Sequence, residues 1–213
     1  MAAGAGLAHL FRAAGAEVVL ASSGHACSEE ELVKAIRFTG SEHVVVLPND
    51  STTMQTAVDA ARAVRLHGIR VAVIPSRAQV QGLAAIAVHE STRSFDDDVV
   101  QMTAAAGHAR HGAVTVALTD ALTTAGPCSQ GDCLGIVEGD FVFVGDDLGV
   151  IAAQVIDRLL SHGGELVTLV RGTESSDDFV RRLELHIEQT HVGAEVLVYD
   201  GGQSRYPLLV GVE

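Results

Sequence analysis

The chain has 213 residues, 47% of them hydrophobic but only 4% aromatic and none of them Trp. Its core must be filled by Val, Ala, Leu and Ile, a palette suited to parallel strands sandwiched between helices. A formal net charge of −13 repels phosphate backbones and anionic lipid. It therefore disfavours nucleic acid and membrane partners and favours a basic protein patch, although acidity also serves solubility by itself.

The longest apolar runs are strand-like, as at Val44–Leu47, so none spans a membrane. Met1–Leu10 lacks the basic and apolar parts of a secretory leader. Three cysteines cannot all pair and no CxxC occurs, so a reduced, cytoplasmic chain is expected.

Leu7, Leu10 and Phe11 have helical spacing within Gly6–Ala14, and a strand is expected at Glu17–Leu20. A fold of this class ordinarily opens with a strand, so the sequence is expected to be the C-terminal part of a longer chain. Ser28 and Glu31 form a capping-box pattern ahead of Leu32, Val33 and Ile36. His43–Leu47 reads as a strand stopped by Pro48, Thr52–His67 as a long helix, and Arg70–Ile74 as the next strand. This alternation implies parallel strands joined by a right-handed crossover. Gln81–His89 and Phe95–Ala109 read as helices.

From Ala113 strands follow one another at Ala113–Thr119, Cys133–Val137 and Phe141–Val144, the last two joined by a turn at Glu138-Gly139-Asp140. Helix Leu148–Leu160, strand Glu165–Val170, helix Ser176–Thr190 and strands Glu195–Tyr199 and Leu208–Val212 complete the reading. The expected fold is α/β in two lobes. Residues 1–90 form a small doubly wound parallel sheet, and residues 91–213 form an α+β lobe with a mixed sheet.

In open α/β sheets ligands bind beyond the carboxyl ends of the strands. That rule gathers Ala21–Ser28, Pro48–Thr53 and Pro75–Gly82, which carry Ser22, Ser23 and His25, Asn49, Asp50, Ser51 and Thr52, and Ser76, Arg77, Gln79 and Gln81. Helix N-termini there offer free N–H groups to an anion, and the same residues are ordinary helix caps. No phosphate-binding loop is present, the only lysine being Lys34 within a helix. Asp96-Asp97-Asp98 reads as a solvated helix start rather than a magnesium site.

The spacing of Cys27 after His25 places a thiol near an imidazole, and a helix N-terminus would lower its pKa. No third group is in place to orient the pair, and no catalytic residue is assigned. Cys27 with His25, or His108 with His111, supplies too few ligands for zinc, so no metal site is expected. The loop Gly201, Gly202, Gln203 through Tyr206 reads as a structural turn or as a partner contact with an aromatic anchor.

Several segments recur together: Gly4–Phe11, Val45–Asn49, Pro75 with Gln81–Ala85, Gly131–Ile136, and Gly201–Gln203 through Tyr206-Pro207 to Glu213. In this order the chain resembles, over nearly its whole length, the C-terminal domain of bacterial fatty acid kinase A, which belongs to a dihydroxyacetone kinase-related family. The resemblance implies a fold like the DegV and dihydroxyacetone kinase substrate domains. It also implies an upstream kinase domain that holds ATP and Mg²⁺, a middle domain, and a DegV-type fatty-acid carrier as partner, with acyl phosphate as product.

Where relatives usually carry a Gly-Gly-Gln-Thr-Met-Asn-Pro-type loop, this chain has Ala21–Cys27, and a charged-aromatic stretch is replaced by Ala121–Ala125. The expected function is a non-catalytic docking module without a cofactor of its own. The contact residues expected are Ser23, His25, Asn49, Asp50, Thr52, Gln81, Gly201, Gly202, Gln203 and Tyr206. The alternatives are a domain that binds, or acts phosphatase-like on, a small phosphorylated or hydroxylated molecule, and an oligomerisation domain that forms a homodimer.

Overall fold

Leu7, Ala8 and Phe11 recur three and four residues apart, and they form the buried stripe of α1 (Ala5–Ala13). The computed structural model describes residues 1–20 and 27–213. In it α2 (Glu29–Phe38) begins with the anticipated capping box. The Ser28 N–H donates to Glu31 Oε2 at 2.8 Å, and the Glu31 N–H donates to Ser28 Oγ at 3.2 Å.

The apolar run that follows becomes β1 (His43–Val46). A 3₁₀ turn, Ser51–Thr53, leads into α3 (Met54–Arg65), and β2 (Arg70–Val73) pairs in parallel with β1. Next come α4 (Gln79–Ala87) and α5 (Phe95–His108).

Residues on alternate positions of the sheet serve two separate cores. Val46 and Val71 pack with Leu32 and Ile36 of α2 and with Ala57, Ala60, Ala61 and Val64 of α3. Val45, Leu47 and Ile74 pack with Ala85 of α4 and with Met102 and Ala106 of α5. Small alanines on α3 bring helix and sheet close together, as the shortage of aromatic residues demands.

Two expectations change here. Glu17–Leu20 is not a strand, and among the described residues a single bridge joins Leu20 to Ala2. The Ala2 N–H donates to the Val19 carbonyl at 3.0 Å, while the Met1 carbonyl and the Ala3 N–H face the other way and bond to the side chains of Asn49 and Gln79. The chain also divides into compact units at Ala109/Arg110 rather than at 90/91. The reason is that α5 contributes Met102 and Ala106 to the core beneath β2 and α4.

The second unit contains β3 (Arg110–Val116), β4 (Ala121–Thr123), β5 (Gly126–Cys128), β6 (Cys133–Val137), β7 (Asp140–Gly145), α6 (Leu148–Leu160), β8 (Leu166–Arg171), α7 (Asp177–Thr190), β9 (Glu195–Asp200) and β10 (Leu208–Val212). Its six-stranded sheet runs β7-β6-β3-β10-β8-β9, antiparallel except for the parallel β8–β9 pair. Glu138 and Gly139, with φ of 53° and 95°, make the tight turn between β6 and β7. The β4–β5 hairpin was not legible, because Ala121–Ala125 shows no alternation and Leu122 is 84% exposed.

Ile151, Val155, Ile156 and Leu159 of α6, with Phe179, Val180, Leu183 and Ile187 of α7, pack with Val114, Val167, Leu169, Leu208, Val210 and Val212 of the strands. The approach of α6 is set by two strand glycines. A Cβ at Gly112 would lie 2.6 Å from Val155 Cγ1 and 3.0 Å from the Ile136 carbonyl oxygen, and one at Gly135 would lie 2.8 Å from Val155 Cγ2. Gly112→Ala should therefore lower unfolding stability by about 1–3 kcal/mol through overpacking, read by urea denaturation followed by circular dichroism.

Candidate functional site

At the carboxyl end of β1 the chain turns through Asn49, a buried residue with φ of 60°. Its side chain is engaged within the first unit. Asn49 Oδ1 accepts from Ser76 Oγ at 2.8 Å, and Nδ2 donates to the Met1 carbonyl at 2.8 Å. The Asn49 N–H donates to Ser76 Oγ at 3.1 Å, and the Asn49 carbonyl accepts from Gln79 Nε2 at 3.0 Å. The carboxamide also rests on Gly82, where a Cβ would lie 2.0 Å from Oδ1.

Gln81 is likewise turned inward, its Oε1 accepting from the Arg77 N–H at 2.8 Å and its Nε2 donating to the Ala109 carbonyl at 3.3 Å. Asp50 caps the 3₁₀ turn, its Oδ1 accepting from the Thr52 N–H at 2.7 Å and the Thr52 hydroxyl at 2.6 Å. Asp50 is half-buried and Thr52 exposed, so these two present polar atoms outward where Asn49 and Gln81 do not.

Ser23 and His25 lie outside the described residues. Cys27 is buried, and its thiol is pushed above its ordinary pKa, first by burial and then by the Glu31 carboxylate. An activated thiolate at the start of α2 is therefore not what forms there. Asp96, Asp97 and Asp98 likewise part company. Asp96 pairs with Arg70 at 2.6 Å and Asp97 accepts from the Ser94 hydroxyl at 2.6 Å.

Asp98 is buried rather than solvated. It meets His89 Nδ1 at 2.6 Å, the Arg93 guanidinium at 2.9 Å and the Glu90 N–H at 3.1 Å. Burial pushes this carboxyl up, but the His89 and Glu90 hydrogen bonds and the charges of His89 and Arg93 outweigh it. The net result holds Asp98 below the usual carboxylate range.

In the second unit the carboxyl ends of parallel β8 and β9 meet the N-terminus of α7. An open groove of about 450 Å³ lies there, lined by Arg171, Thr173, Ser175, Ser176, Asp200 and Gly202 among others. Arg171 bridges Asp177 and Asp200, and this pairing lowers the Asp200 pKa.

The two glycines of the loop have different roles. Gly202 has φ of 68°, and a Cβ at Gly201 would lie 2.0 Å from Gln203 Oε1. Gln203 is buried, and its Nε2 donates to the Val170 carbonyl at 2.9 Å. Gly172 lets the loop close, since a Cβ there would lie 2.3 Å from the Tyr206 carbonyl oxygen. Gly202, Ser204 and Arg205 face outward, with the Arg205 guanidinium 5.2 Å from the centre of the half-buried Tyr206 ring.

One cluster was missed from the sequence. Asp157 of α6, His186 of α7 and His191, which caps α7, offer ligand atoms within 4.8 Å of one another. The five-residue spacing of the two histidines was visible, but Asp157 lies 29 residues upstream of His186 and only the packing of α6 on α7 joins them.

Residues 1–213 match the family of fatty acid kinase A-like C-terminal domains. The chain is 28% identical to an uncharacterized protein of Staphylococcus haemolyticus over 99% of its length, and 26% identical to protein YloV of Bacillus subtilis over 100%. In both cases it spans 38% of the relative's own length.

Among solved structures the fold is similar to a DegV family protein from Corynebacterium glutamicum, with TM-score 0.66 and 13% identity, over 95% of this chain and 90% of that one. It is similar to the Streptococcus pneumoniae fatty acid kinase B3 protein loaded with linoleic acid, with TM-score 0.63 and 14% identity, over 88% and 76%. It is also similar to the dihydroxyacetone kinase from C. freundii, with TM-score 0.66 and 13% identity, over 88% and 42%. These likenesses establish the fold.

Asn49→Ala should destabilise the protein by roughly 2–4 kcal/mol, and Asn49→Gly should recover the part that comes from positive φ, both read by denaturant unfolding. The lowered Asp98 pKa gives stability that is fully present above the unfolded carboxylate value of about 3.9 and is lost as pH falls through the folded value. Asp98→Asn should accordingly flatten the decline in unfolding stability measured from pH 5 downward.

Proposed function

Because the chain belongs to the fatty acid kinase A-like C-terminal family, we propose that it is a docking module that presents a fatty-acid-carrying DegV-type protein to a kinase domain. The family match over residues 1–213 carries this reading. In it, ATP and Mg²⁺ belong to the kinase domain, since Lys34 is this chain's only lysine and lies within α2. The module contributes to acyl phosphate formation by positioning. Tethering raises the carrier's effective concentration at the kinase site and fixes its orientation, so a bimolecular encounter becomes an intramolecular one.

The exposed and half-buried groups of the anticipated contact set serve this role: Asp50 and Thr52 in the first unit, and Gly202 and Tyr206, with Arg205 beside it, in the second. Asn49, Gln81 and Gln203 act behind them by fixing the backbone on which they stand. Leu118, just before the β4–β5 hairpin, and Leu122, within β4, each 84% exposed, add apolar area of the kind interface cores use. The net charge of −13 matches a carrier that offers a basic patch. A cytoplasmic location fits this role, and no described helix is long and apolar enough to cross a membrane.

The second reading, a small-molecule site, is favoured by one observation: a protein of similar fold is loaded with linoleic acid. Titration calorimetry with the DegV-type carriers of the same organism, at two salt concentrations, separates the two. Docking predicts saturable binding that weakens with salt, and about tenfold or greater loss in an Arg205→Ala/Tyr206→Ala/Leu122→Asp variant that keeps the wild-type melting temperature. Absence of binding to every folded carrier, together with thermal stabilisation by a fatty acid or a phosphorylated ligand, would overturn docking in favour of the small-molecule site.

A further inference from the structure

We propose that Asp157, His186 and His191 form a binding site for one divalent transition-metal ion, zinc being the natural probe. Asp157 Oδ1 lies 2.8 Å from His186 Nε2 and 2.7 Å from His191 Nε2, so one carboxylate oxygen already gathers both imidazoles. Two imidazole nitrogens and one carboxylate oxygen are the donor set that zinc accepts in open sites, where a fourth position is left to solvent or an exogenous ligand.

The geometry needs little change. Tetrahedral zinc with ligands at about 2.0–2.1 Å holds its donor atoms about 3.3 Å apart. Each Asp157–His separation would therefore open by only about half an ångström, well within side-chain motion. The two rings stand at 72° with centroids 6.4 Å apart, so their nitrogens converge without stacking.

Two further features of the fold favour a cation here. His191 is the C-terminal cap of α7, the end at which the helix dipole is negative. The rigid part is supplied by packing: α6 and α7 share one apolar core, in which Val155, Ile156, Leu183 and Ile187 are all buried. The side chains themselves are 45% exposed for Asp157, 28% for His186 and 24% for His191, which leaves the open position facing water. A ring that donates from Nε2 to Asp157 must carry its proton on Nδ1 to ligate a metal through Nε2.

This site is separate from the docking reading and does not depend on it. The test is zinc binding by competition with a chelating dye, on the wild-type chain and on His186→Gln, His191→Gln and Asp157→Asn, with His162→Gln as control. Glutamine keeps a donor toward Asp157 but is a poor zinc ligand, so apo melting temperatures should stay near wild type.

The expected result is one zinc per chain, a rise in melting temperature with zinc, and about tenfold or greater loss of affinity in each cluster variant but not in the control. On the wild-type chain alone, zinc should protect His186 and His191, but not His162, from diethylpyrocarbonate. No zinc binding in the micromolar range, affinity unchanged in His186→Gln/His191→Gln, or no protection of these two histidines would each overturn the assignment.

Discussion

Buried backbone groups at the ends of strands must find partners, and in this chain side-chain amides provide many of them. A peptide group left unpaired in the interior costs about as much as a lost hydrogen bond, so the loops that follow buried strands are tightly constrained. Asn49 and Gln79 meet this demand beyond β1, where Asn49 binds the Met1 carbonyl and Gln79 binds the Asn49 carbonyl. Gln81 accepts from the Arg77 N–H beyond β2, and Gln203 binds the Val170 carbonyl near the end of β8. Two of these amides require close approach, Asn49 against Gly82 and Gln203 against Gly201, where a side chain would block them.

This arrangement also explains where function has room. Residues that secure strand ends face inward, and the positions free to meet another molecule are those carried on top of them. A polar run at a strand end therefore describes two layers at once. Half-buried Asp50 and exposed Thr52 follow buried Asn49 in the chain, and exposed Gly202 and Arg205 lie either side of buried Gln203. The outer layer can change its chemistry while the inner layer keeps the loop in place.

The periodic segments were legible in the sequence because their physics is local. Cys133–Val137, Leu148–Leu160 and Leu208–Val212 fall where apolar spacing places them. The capping residues Ser28 and Glu31 fixed the start of α2 in the same way. The expectation for Glu17–Leu20 failed because strand character needs a partner, and among the described residues only Ala2 pairs with this segment. The expectation for Asp98 failed because its burial depends on His89 and Arg93 in the preceding loop, which no helix-face argument includes. The Asp157, His186 and His191 cluster was hidden for a related reason, since helix packing rather than spacing brings its members together.

The place of β10 in its sheet has a kinetic consequence. It lies between β3 and β8, pairing Leu208 with both Val114 and Arg171. Until residues 208–212 have been synthesised, β3 and β8 each keep an inner edge without its neighbour, and the α6–α7 core lacks Leu208, Val210 and Val212. The first unit closes its own sheet within residues 43–73. On the ribosome it can therefore fold while the second unit waits for its central strand, and that interval is when the second unit's open edges are exposed to other chains.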